Sequence, residues 1–335
     1  MEWLIFFFGL LFGYILQYAK LNKFNTISGL AMLKDFAVAK AIMAALGVGA
    51  ILFGIELISG GASLHVKSLI LGGVILGGII FGAGMAILGY CPGTLPVSAG
   101  EGSLDAFIGI AGGLTAGLIY TLILPVIQPI LGKSLGEISL YSIIGGTSAL
   151  YLVLVIVWGI GLIWFSLWIN KKEKATNYKW LISGVALAFL NAIVFLKFVF
   201  NRPIGASTSY PYTIDSIFGL TDNDYFSKIN TSGHWELIFL AGAIVAGFTG
   251  ALYTKSFKFR LIYENWSEQK GQNAWKRIMY AFIGGFLIIF GARMSGGCTS
   301  GHIISGGMQM AVSSYLFAVF VFASLLITGK LFYRK

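Results

Sequence analysis

Charged residues are too scarce and too unevenly spaced along this chain for a water-soluble fold. They make up 11% of the 335 residues, and 57% are hydrophobic, whereas a soluble domain carries about 25% charged residues. Apolar stretches of about 20 residues, the length of a membrane-spanning helix, recur throughout. The sequence therefore predicts an all-α, polytopic integral membrane protein. About nine stretches qualify as spans: 2–19, 36–58, 66–90, 104–131, 140–169, 180–200, 235–254, 277–297 and 308–329.

The few basic residues predict the orientation in the membrane. Most of the 23 Lys and Arg residues lie in four clusters, which the predicted spans place on one side. By the positive-inside rule that side is cytoplasmic, so the N-terminus is predicted outside and the C-terminus inside. Topology then accounts for the formal net charge of +10, and no nucleic-acid partner is predicted. The clusters lie at 20–40, 171–179, 255–277 and 330–335, and the polar stretch 201–234 is predicted as an outer loop.

Two segments of the sequence resemble each other, and each contains one of the two cysteines. Residues 81–94 read FGAGMAILGYCPGT, and residues 290–301 read FGARMSGGCTSG. In the predicted topology, the span before Cys91 runs inwards and the span before Cys298 runs outwards. Inverted repeats whose broken helices meet near the midplane are typical of secondary transporters. The sequence therefore predicts a single transporter domain over 1–335, with repeat 1 at about 36–131, repeat 2 at about 235–329 and connecting helices at 140–200.

Each cysteine is predicted to lie on a short re-entrant element that leads into a helix. Free N–H groups at a helix N-terminus favour anions, so two facing termini would form an anion site with a thiol at each. Arg293 is the one basic residue predicted deep inside a span, where a charge indicates function. Glu101 and Asp105 are expected to be solvated loop charges. The predicted path residues at these motifs are Cys91, Gly93, Thr94, Arg293, Gly297, Cys298, Thr299, Ser300 and His302.

Thiols on a transport path favour a sulfur-bearing anion as substrate. A thiol in apolar surroundings stays protonated, and a neutral thiol does not repel an anion as a thiolate would. Two Cys and three His without ligand spacing make a poor metal set. The sequence therefore predicts neither a metal site nor a cofactor.

At these motifs the chain resembles the YeeE/YedE family of sulfur-compound transporters. GYCPGT at 89–94 and GARMSGGCTSGH at 291–302 carry the resemblance, which extends over nearly the whole chain. The resemblance implies an inner-membrane importer of thiosulfate, in which Cys91 and Cys298 pass the anion along by S–H···S hydrogen bonds. It also implies a cytoplasmic sulfur-carrier partner of the TusA type.

The chain departs from that family pattern after the first predicted span. Many members carry a third Cys there, preceded by Phe, whereas here Asn25 follows Phe24. An amide or hydroxyl contact from Asn25 or Thr26 would replace the thiol, or the substrate would differ. Asn25 is therefore included among the predicted path residues.

Several functions stay open at this point. The substrate would be thiosulfate, a selenium compound or another sulfur species, or the chain would carry an unrelated solute and its cysteines would be structural. A membrane enzyme that transfers thiols or persulfides is disfavoured, because the chain has no C-x-x-C pair and a reactive thiol needs a lowered pKa. The prediction is a non-enzymatic, multi-pass inner-membrane protein whose partners are the lipid bilayer and a thiosulfate-like anion, with no catalytic residue.

Overall fold

The described part of the chain consists of helices joined by loops, and a few isolated β-bridges occur within it. The computed structural model describes residues 1–146 and 148–334. A π-helical turn, Thr299–Ile304, lies between the thirteenth and fourteenth α-helices. The α-helices are α1 (Glu2–Tyr18), α2 (Phe24–Ala31), α3 (Ala37–Ile58), α4 (Leu71–Leu88), α5 (Thr94–Gly100), α6 (Leu104–Leu131), α7 (Leu140–Ile143), α8 (Ser148–Lys172), α9 (Lys179–Phe195), α10 (Ser209–Ile217), α11 (Asp224–Tyr253), α12 (Glu264–Lys270), α13 (Ala274–Ser295), α14 (Ser305–Met308) and α15 (Val312–Phe332).

The long helices are apolar over lengths that suit a bilayer. Within the described residues, seven candidate spans are long and apolar enough to cross a membrane: α3, α4, α6, α8, α11, α13 with the turn that follows it, and α15. Helices α1 and α9 are also apolar but have 17 residues each. A helix is suited to lipid because it satisfies its own backbone hydrogen bonds. The structure confirms a polytopic all-α membrane protein, while the count of nine spans and the inverted repeat stay predictions.

The predicted span 140–169 is wrong at its start. Helix α8 begins at Ser148, and residues 140–143 form the separate short helix α7. Gly145 and Gly146 lie between them with φ of +67° and +75°. A left-handed conformation at two successive residues ends a right-handed helix, so the apolar run is divided where hydropathy alone shows no break.

The polar stretch 201–234 is more helical than an outer loop. It contains α10, and its last residues form the first turns of α11, which begins at Asp224 instead of the predicted 235. The Asn223 side chain accepts a 2.8 Å hydrogen bond from the Phe226 N–H. This N-cap fixes the start of α11, and hydropathy does not report it.

Glycines allow the central helices to approach closely. Helix α4 packs against α13, α6 packs against α13, and α15 packs against α4; around them α1 packs on α11, and α3 packs on α9. At the crossing of α4 and α13, a Cβ on Gly77 would lie 2.6 Å from the Gly291 carbonyl oxygen, and a Cβ on Gly291 would lie 2.6 Å from that of Gly77. No residue larger than glycine fits this crossing without moving a backbone, as in other small-residue interfaces of membrane helices.

The basic clusters of the sequence meet at one end of the helix bundle, here called the lysine-rich end and defined by Lys23, Lys40, Lys179 and Lys270. Lys40 forms a buried ion pair with Glu173 and donates to Asn170. The ammonium of Lys179 lies 5.4 Å from the Tyr18 ring centre. The other end, called the opposite end, carries the pairing of Glu2 with His234. The side of the membrane that each end faces stays a prediction.

Glu101 and Asp105 are buried, contrary to the prediction of solvated loop charges. Asp105 is 0% exposed and accepts from the Arg277 Nη2 at 2.5 Å and from the Tyr90 hydroxyl at 3.2 Å. Glu101 accepts from Lys23 Nζ at 2.5 Å and from Gln17 Nε2 at 2.8 Å. A buried carboxylate persists only with such partners, and these partners lie far away in the sequence.

Basic residues near the edges of spans are buried as well as Arg293. Arg277, predicted at the edge of a span, is 0% exposed, and Lys40 is 3% exposed. Arg277 also donates to the Leu88 carbonyl at 2.8 Å, so it satisfies the end of α4 as well as Asp105. Burial of these cations depends on tertiary partners, which explains why position within an apolar run does not identify them.

The glycine crossing predicts opposite effects for two alanine substitutions. Gly291→Ala should lower the thermal midpoint of the protein in detergent, because overpacking costs about 1–3 kcal/mol. Gly161→Ala should leave the midpoint unchanged or raise it, because a Cβ there meets no atom within 4 Å and alanine favours a helix by about 1 kcal/mol over glycine. Equal effects at the two positions would contradict the close approach of α4 and α13.

Candidate functional site

The two cysteine motifs are built in the same way. Helix α4 ends at Gly89 and α13 ends at Gly296, both in the left-handed conformation with φ of +78° and +79°. Such a glycine is a common helix terminator. Each cysteine follows its glycine by two positions, so each thiol is placed immediately beyond the end of a long apolar helix.

Each thiol has a hydroxyl neighbour from its own motif. The Cys91 sulfur lies 3.5 Å from the Thr94 Oγ1, and the Cys298 sulfur lies 3.3 Å from the Ser300 Oγ. Cys298 is 1% exposed, and Cys91 is partly exposed. The Thr94 hydroxyl accepts from the Cys91 N–H at 2.8 Å and so fixes the backbone of the motif.

The structure brings the two motifs together. Cys91 is close enough to Cys298 for the two side chains to interact electrostatically, and it lies beside the Thr299 hydroxyl of the second motif. The Thr299 Oγ1 is buried and has no hydrogen-bond partner among the described residues. Tyr210 lies near both cysteines, and its hydroxyl donates to the Pro92 carbonyl at 3.3 Å. A molecule between the motifs would meet two thiols and an unused hydroxyl.

The helical element that follows Cys298 is a π-helical turn, Thr299–Ile304. The His302 N–H donates to the Cys298 carbonyl at 2.7 Å, and the four-residue helix α14 follows. After Cys91, the N–H groups of Thr94 and Leu95 both donate to the Cys91 carbonyl at 3.0 Å. A helical element thus begins shortly after each cysteine, α5 at Thr94 and the π-helical turn at Thr299. Wide π-type turns of this kind are frequent at functional sites.

Arg293 lies in this region and is only partly satisfied. Its Nη1 donates to the Thr208 hydroxyl at 2.9 Å, while its Nε is buried without a partner among the described residues. Arg293 lies within electrostatic reach of Cys298 and Glu236. The Glu236 carboxylate accepts from the N–H groups of Thr208 and Ser209 at 2.6 and 3.2 Å. The N-terminus of α10 is thereby occupied by a carboxylate of the protein itself.

His302 makes internal contacts through both ring nitrogens. Nδ1 lies 2.8 Å from the Ser314 hydroxyl, and Nε2 lies 3.1 Å from the Ser295 carbonyl. Because a carbonyl only accepts, the hydrogen-bond network assigns the proton to Nε2 and makes Nδ1 an acceptor. The ring stacks on Phe317 with 4.8 Å between centres and is 0% exposed. In this geometry His302 supports the end of α13.

The two motif glycines of the predicted path mark close contacts. A Cβ on Gly93 would lie 3.2 Å from the Phe12 ring, and a Cβ on Gly297 would lie 3.2 Å from the Lys67 Cε. Gly93 is therefore packed against α1, and Gly297 is covered by a lysine side chain.

Asn25 lies at the lysine-rich end, apart from the two cysteine motifs. Its side-chain oxygen accepts from the Asn265 N–H at 3.2 Å, and its carbonyl accepts from the Asn265 side chain at 2.9 Å. Asn25 and Thr26 line a cavity of about 1350 Å³, called here the lysine-rich cavity. Its basic lining residues are Lys20, Lys23, Lys179, Lys255, Lys258 and Arg260.

Sequence reasoning missed three residues of this region. Lys67 lies near Cys298, Tyr210 lies near both cysteines, and Glu236 lies near Tyr210 and Arg293. Lys67 belongs to the loop between α3 and α4, and its side chain lies along Gly296 and Gly297. Burial and the Arg293 guanidinium both lower the pKa of the Lys67 ammonium, with burial as the larger cause. A lysine between two spans usually indicates topology alone, so the sequence carries no signal for this placement.

No metal site is found in residues 1–146 and 148–334, where no group of three or more His, Cys, Asp and Glu side chains could hold an ion.

The candidate site is a place where two thiols, hydroxyl groups and partly satisfied cations meet inside a helix bundle. Its donors suit a small anion, because each polar neighbour of the thiols can donate a hydrogen bond.

Comparisons with known proteins agree with this chemistry. A family model described as Sulphur transport matches residues 24–327. The thiosulfate transporter TsuA of Spirochaeta thermophila is 25% identical to the chain over 326 residues, which cover 93% of each protein.

The different burial of the two thiols predicts a difference in alkylation rate. Cys298→Ser leaves Cys91 as the sole thiol, and Cys91→Ser leaves Cys298. N-ethylmaleimide should modify Cys91 severalfold faster in the native protein, since Cys91 is partly exposed and Cys298 is 1% exposed. Both variants should react completely in denaturing detergent. A faster reaction of Cys298 in the native protein would contradict this arrangement of the motifs.

Proposed function

The chain belongs to the Sulphur transport family, and from that membership we propose that it takes up thiosulfate or a related small sulfur-containing anion across the inner membrane. The observation that carries the proposal is the meeting of Cys91 and Cys298 between the ends of α4 and α13. We propose transport without a chemical change of the substrate, because the nearest polar side chain of each thiol's own motif is a hydroxyl, Thr94 for Cys91 and Ser300 for Cys298.

The proposed path runs from Cys298 to Cys91. Each neutral thiol would donate a weak S–H hydrogen bond to the terminal sulfur of the anion, and the hydroxyls of Thr94, Thr299 and Ser300 would contact its oxygens. Arg293 would offset the negative charge, which is costly in a low-dielectric interior. The unused Thr299 hydroxyl and Arg293 Nε support this proposal, because both are donors without an acceptor.

The proposed architecture is an inverted repeat of nine spans, with the N-terminus outside and the C-terminus in the cytoplasm. Its support comes from matched packing: α6 on α13 corresponds to α15 on α4, and α1 on α11 corresponds to α3 on α9. The matching glycines at 89 and 296 support it as well. Helix α8 then connects the two halves.

The lysine-rich cavity is the proposed exit, where a TusA-type sulfur carrier would receive the anion. Its six basic lining residues face a single carboxylate, Glu101, which is already paired with Lys23. A positive cavity attracts an anion and an acidic partner surface. Asn25 and Thr26 in the cavity wall would replace the third thiol of related proteins by amide and hydroxyl contacts.

Removal of the Cys91 thiol tests the proposed path. In a host that lacks its own thiosulfate uptake, the wild-type chain should support growth on thiosulfate as the sole sulfur source. Cys91→Ala should abolish that growth, whereas Cys91→Ser should retain part of it because a hydroxyl can still donate a hydrogen bond. Growth on cysteine and an immunoblot of the membrane fraction serve as controls.

Competition measures which anion the chain prefers. Uptake of radiolabelled thiosulfate should fall with excess unlabelled thiosulfate more than with sulfate, sulfite or selenite. Stronger inhibition by selenite would indicate a selenium compound as substrate.

In the growth test, normal growth of the Cys91→Ala strain on thiosulfate would contradict the role of the thiol.

Charge reversal in the lysine-rich cavity tests the proposed handover. Lys255→Glu combined with Lys258→Glu should weaken binding of a purified TusA-type carrier in a salt-dependent way, because both side chains line the cavity. Lys171→Glu is the matched control, since Lys171 is exposed at the same end but does not line the cavity. Equal binding by all three proteins would contradict a carrier site in this cavity.

A further inference from the structure

Lys67 is a lysine without a counterion beside the second cysteine motif. Its alkyl chain lies against Gly296 and Gly297, the two residues before Cys298. Its ammonium makes no hydrogen bond or ion pair with any residue in 1–146 or 148–334. Lys67 is partly exposed, so its ammonium is available to a ligand that reaches the second cysteine motif.

The backbone around Lys67 is held in place by three other segments. The His65 N–H donates to the Gln309 side chain at 2.6 Å, and the Lys67 carbonyl accepts from Ser313 at 2.8 Å. The Leu69 N–H donates to the Gly136 carbonyl at 2.8 Å. Lys67 is thus presented from a fixed loop at the opposite end of the bundle, and its position beside Cys298 follows from these bonds.

The charges around Lys67 do not balance. Arg293, Arg202 and Glu236 lie near Lys67, so with a protonated Lys67 three cations accompany one carboxylate and leave a formal charge of +2. Glu236 is already engaged by two backbone N–H groups at the start of α10. Arg202 stacks on the Trp235 ring at 4.3 Å, which leaves Lys67 and Arg293 with unused donor capacity.

We propose that Lys67 and Arg293 form an entry site that selects small dianions and positions them for Cys298. This inference rests on the proposed function and adds to it a charge requirement, because a dianion neutralises the excess charge and a monoanion neutralises half of it. Lysine suits an entry site because its ammonium is a compact point charge on a flexible stem. It can therefore follow the anion over a short distance towards the thiol.

Transport kinetics of a charge-neutral variant test the site. Lys67→Gln should raise the KM for radiolabelled thiosulfate at least about tenfold, as expected for loss of a hydrogen bond from a charged donor, with the maximal rate within about twofold of wild type. Lys67→Arg should keep most of the affinity. Lys133→Gln is the matched control, because Lys133 is exposed at the same end of the bundle and should leave the KM unchanged.

Anion competition tests the charge requirement directly. Sulfate, a dianion, should inhibit thiosulfate uptake by the wild type more strongly than thiocyanate, a monoanion. In Lys67→Gln the inhibition by sulfate should weaken at least about fivefold more than the inhibition by thiocyanate, because loss of one positive charge costs the dianion more Coulomb energy.

Thermal unfolding separates a ligand-binding lysine from a structural one. Without added anion, purified Lys67→Gln should be at least as stable as the wild type, because the substitution removes an uncompensated charge. Thiosulfate should raise the thermal midpoint of the wild type more than that of the variant. A variant that is less stable than the wild type without anion would assign Lys67 a structural role and overturn the inference.

The outcomes distinguish the two proposals. Absence of thiosulfate uptake by the wild type would contradict the proposed function. Uptake by the wild type with an unchanged KM in Lys67→Gln would leave the proposed function intact and overturn the entry site.

Discussion

The site depends on how a protein in lipid satisfies the backbone at helix ends that lie inside the bundle. Any carbonyl left free there is costly, because no water is available in the hydrocarbon region. In the two helices that lead to the cysteines, side chains from outside the helix end satisfy such carbonyls. Arg277 donates to the Leu88 carbonyl at the end of α4, and His302 donates to the Ser295 carbonyl at the end of α13. With their ends satisfied, both helices can stop at a glycine and present a thiol.

Buried charged side chains are satisfied by hydrogen-bond partners in the same way. Asp105, Glu101, Lys40 and Glu236 are all buried, and each has partners that satisfy it. Two of the buried polar atoms that have no partner among the described residues are the Arg293 Nε and the Thr299 hydroxyl. Both lie around the second cysteine, as does Lys67, whose ammonium has no partner among the described residues. Unused donors are thus present where the proposed anion would pass, although Tyr151 and Trp266 also carry buried donors without a partner among the described residues.

The coarse fold is predictable from sequence because long apolar runs report membrane burial directly. The relation between the motifs of Cys91 and Cys298 is also visible in the residues, and the structure places these motifs together. The ion pair of Arg277 with Asp105 is not predictable, since 172 positions separate its members and hydropathy treats both as ordinary loop charges. Lys67 and the π-helical turn after Cys298 escape sequence reasoning for the same reason, because their roles arise from packing between distant segments.

The contacts of Arg277 restrict how α4 and α13 can move relative to each other. It belongs to the first turn of α13, yet it holds the last turn of α4, and the glycine crossing interlocks the same two helices further along. Sliding of α4 along α13 would break the guanidinium contacts and drive backbone atoms into each other. We therefore expect α4 and α13 to move as one rigid unit. The hydroxyl neighbours of the thiols lie outside this helix pair, on α5 and the π-helical turn, so movement of these short segments would not require α4 to slide along α13.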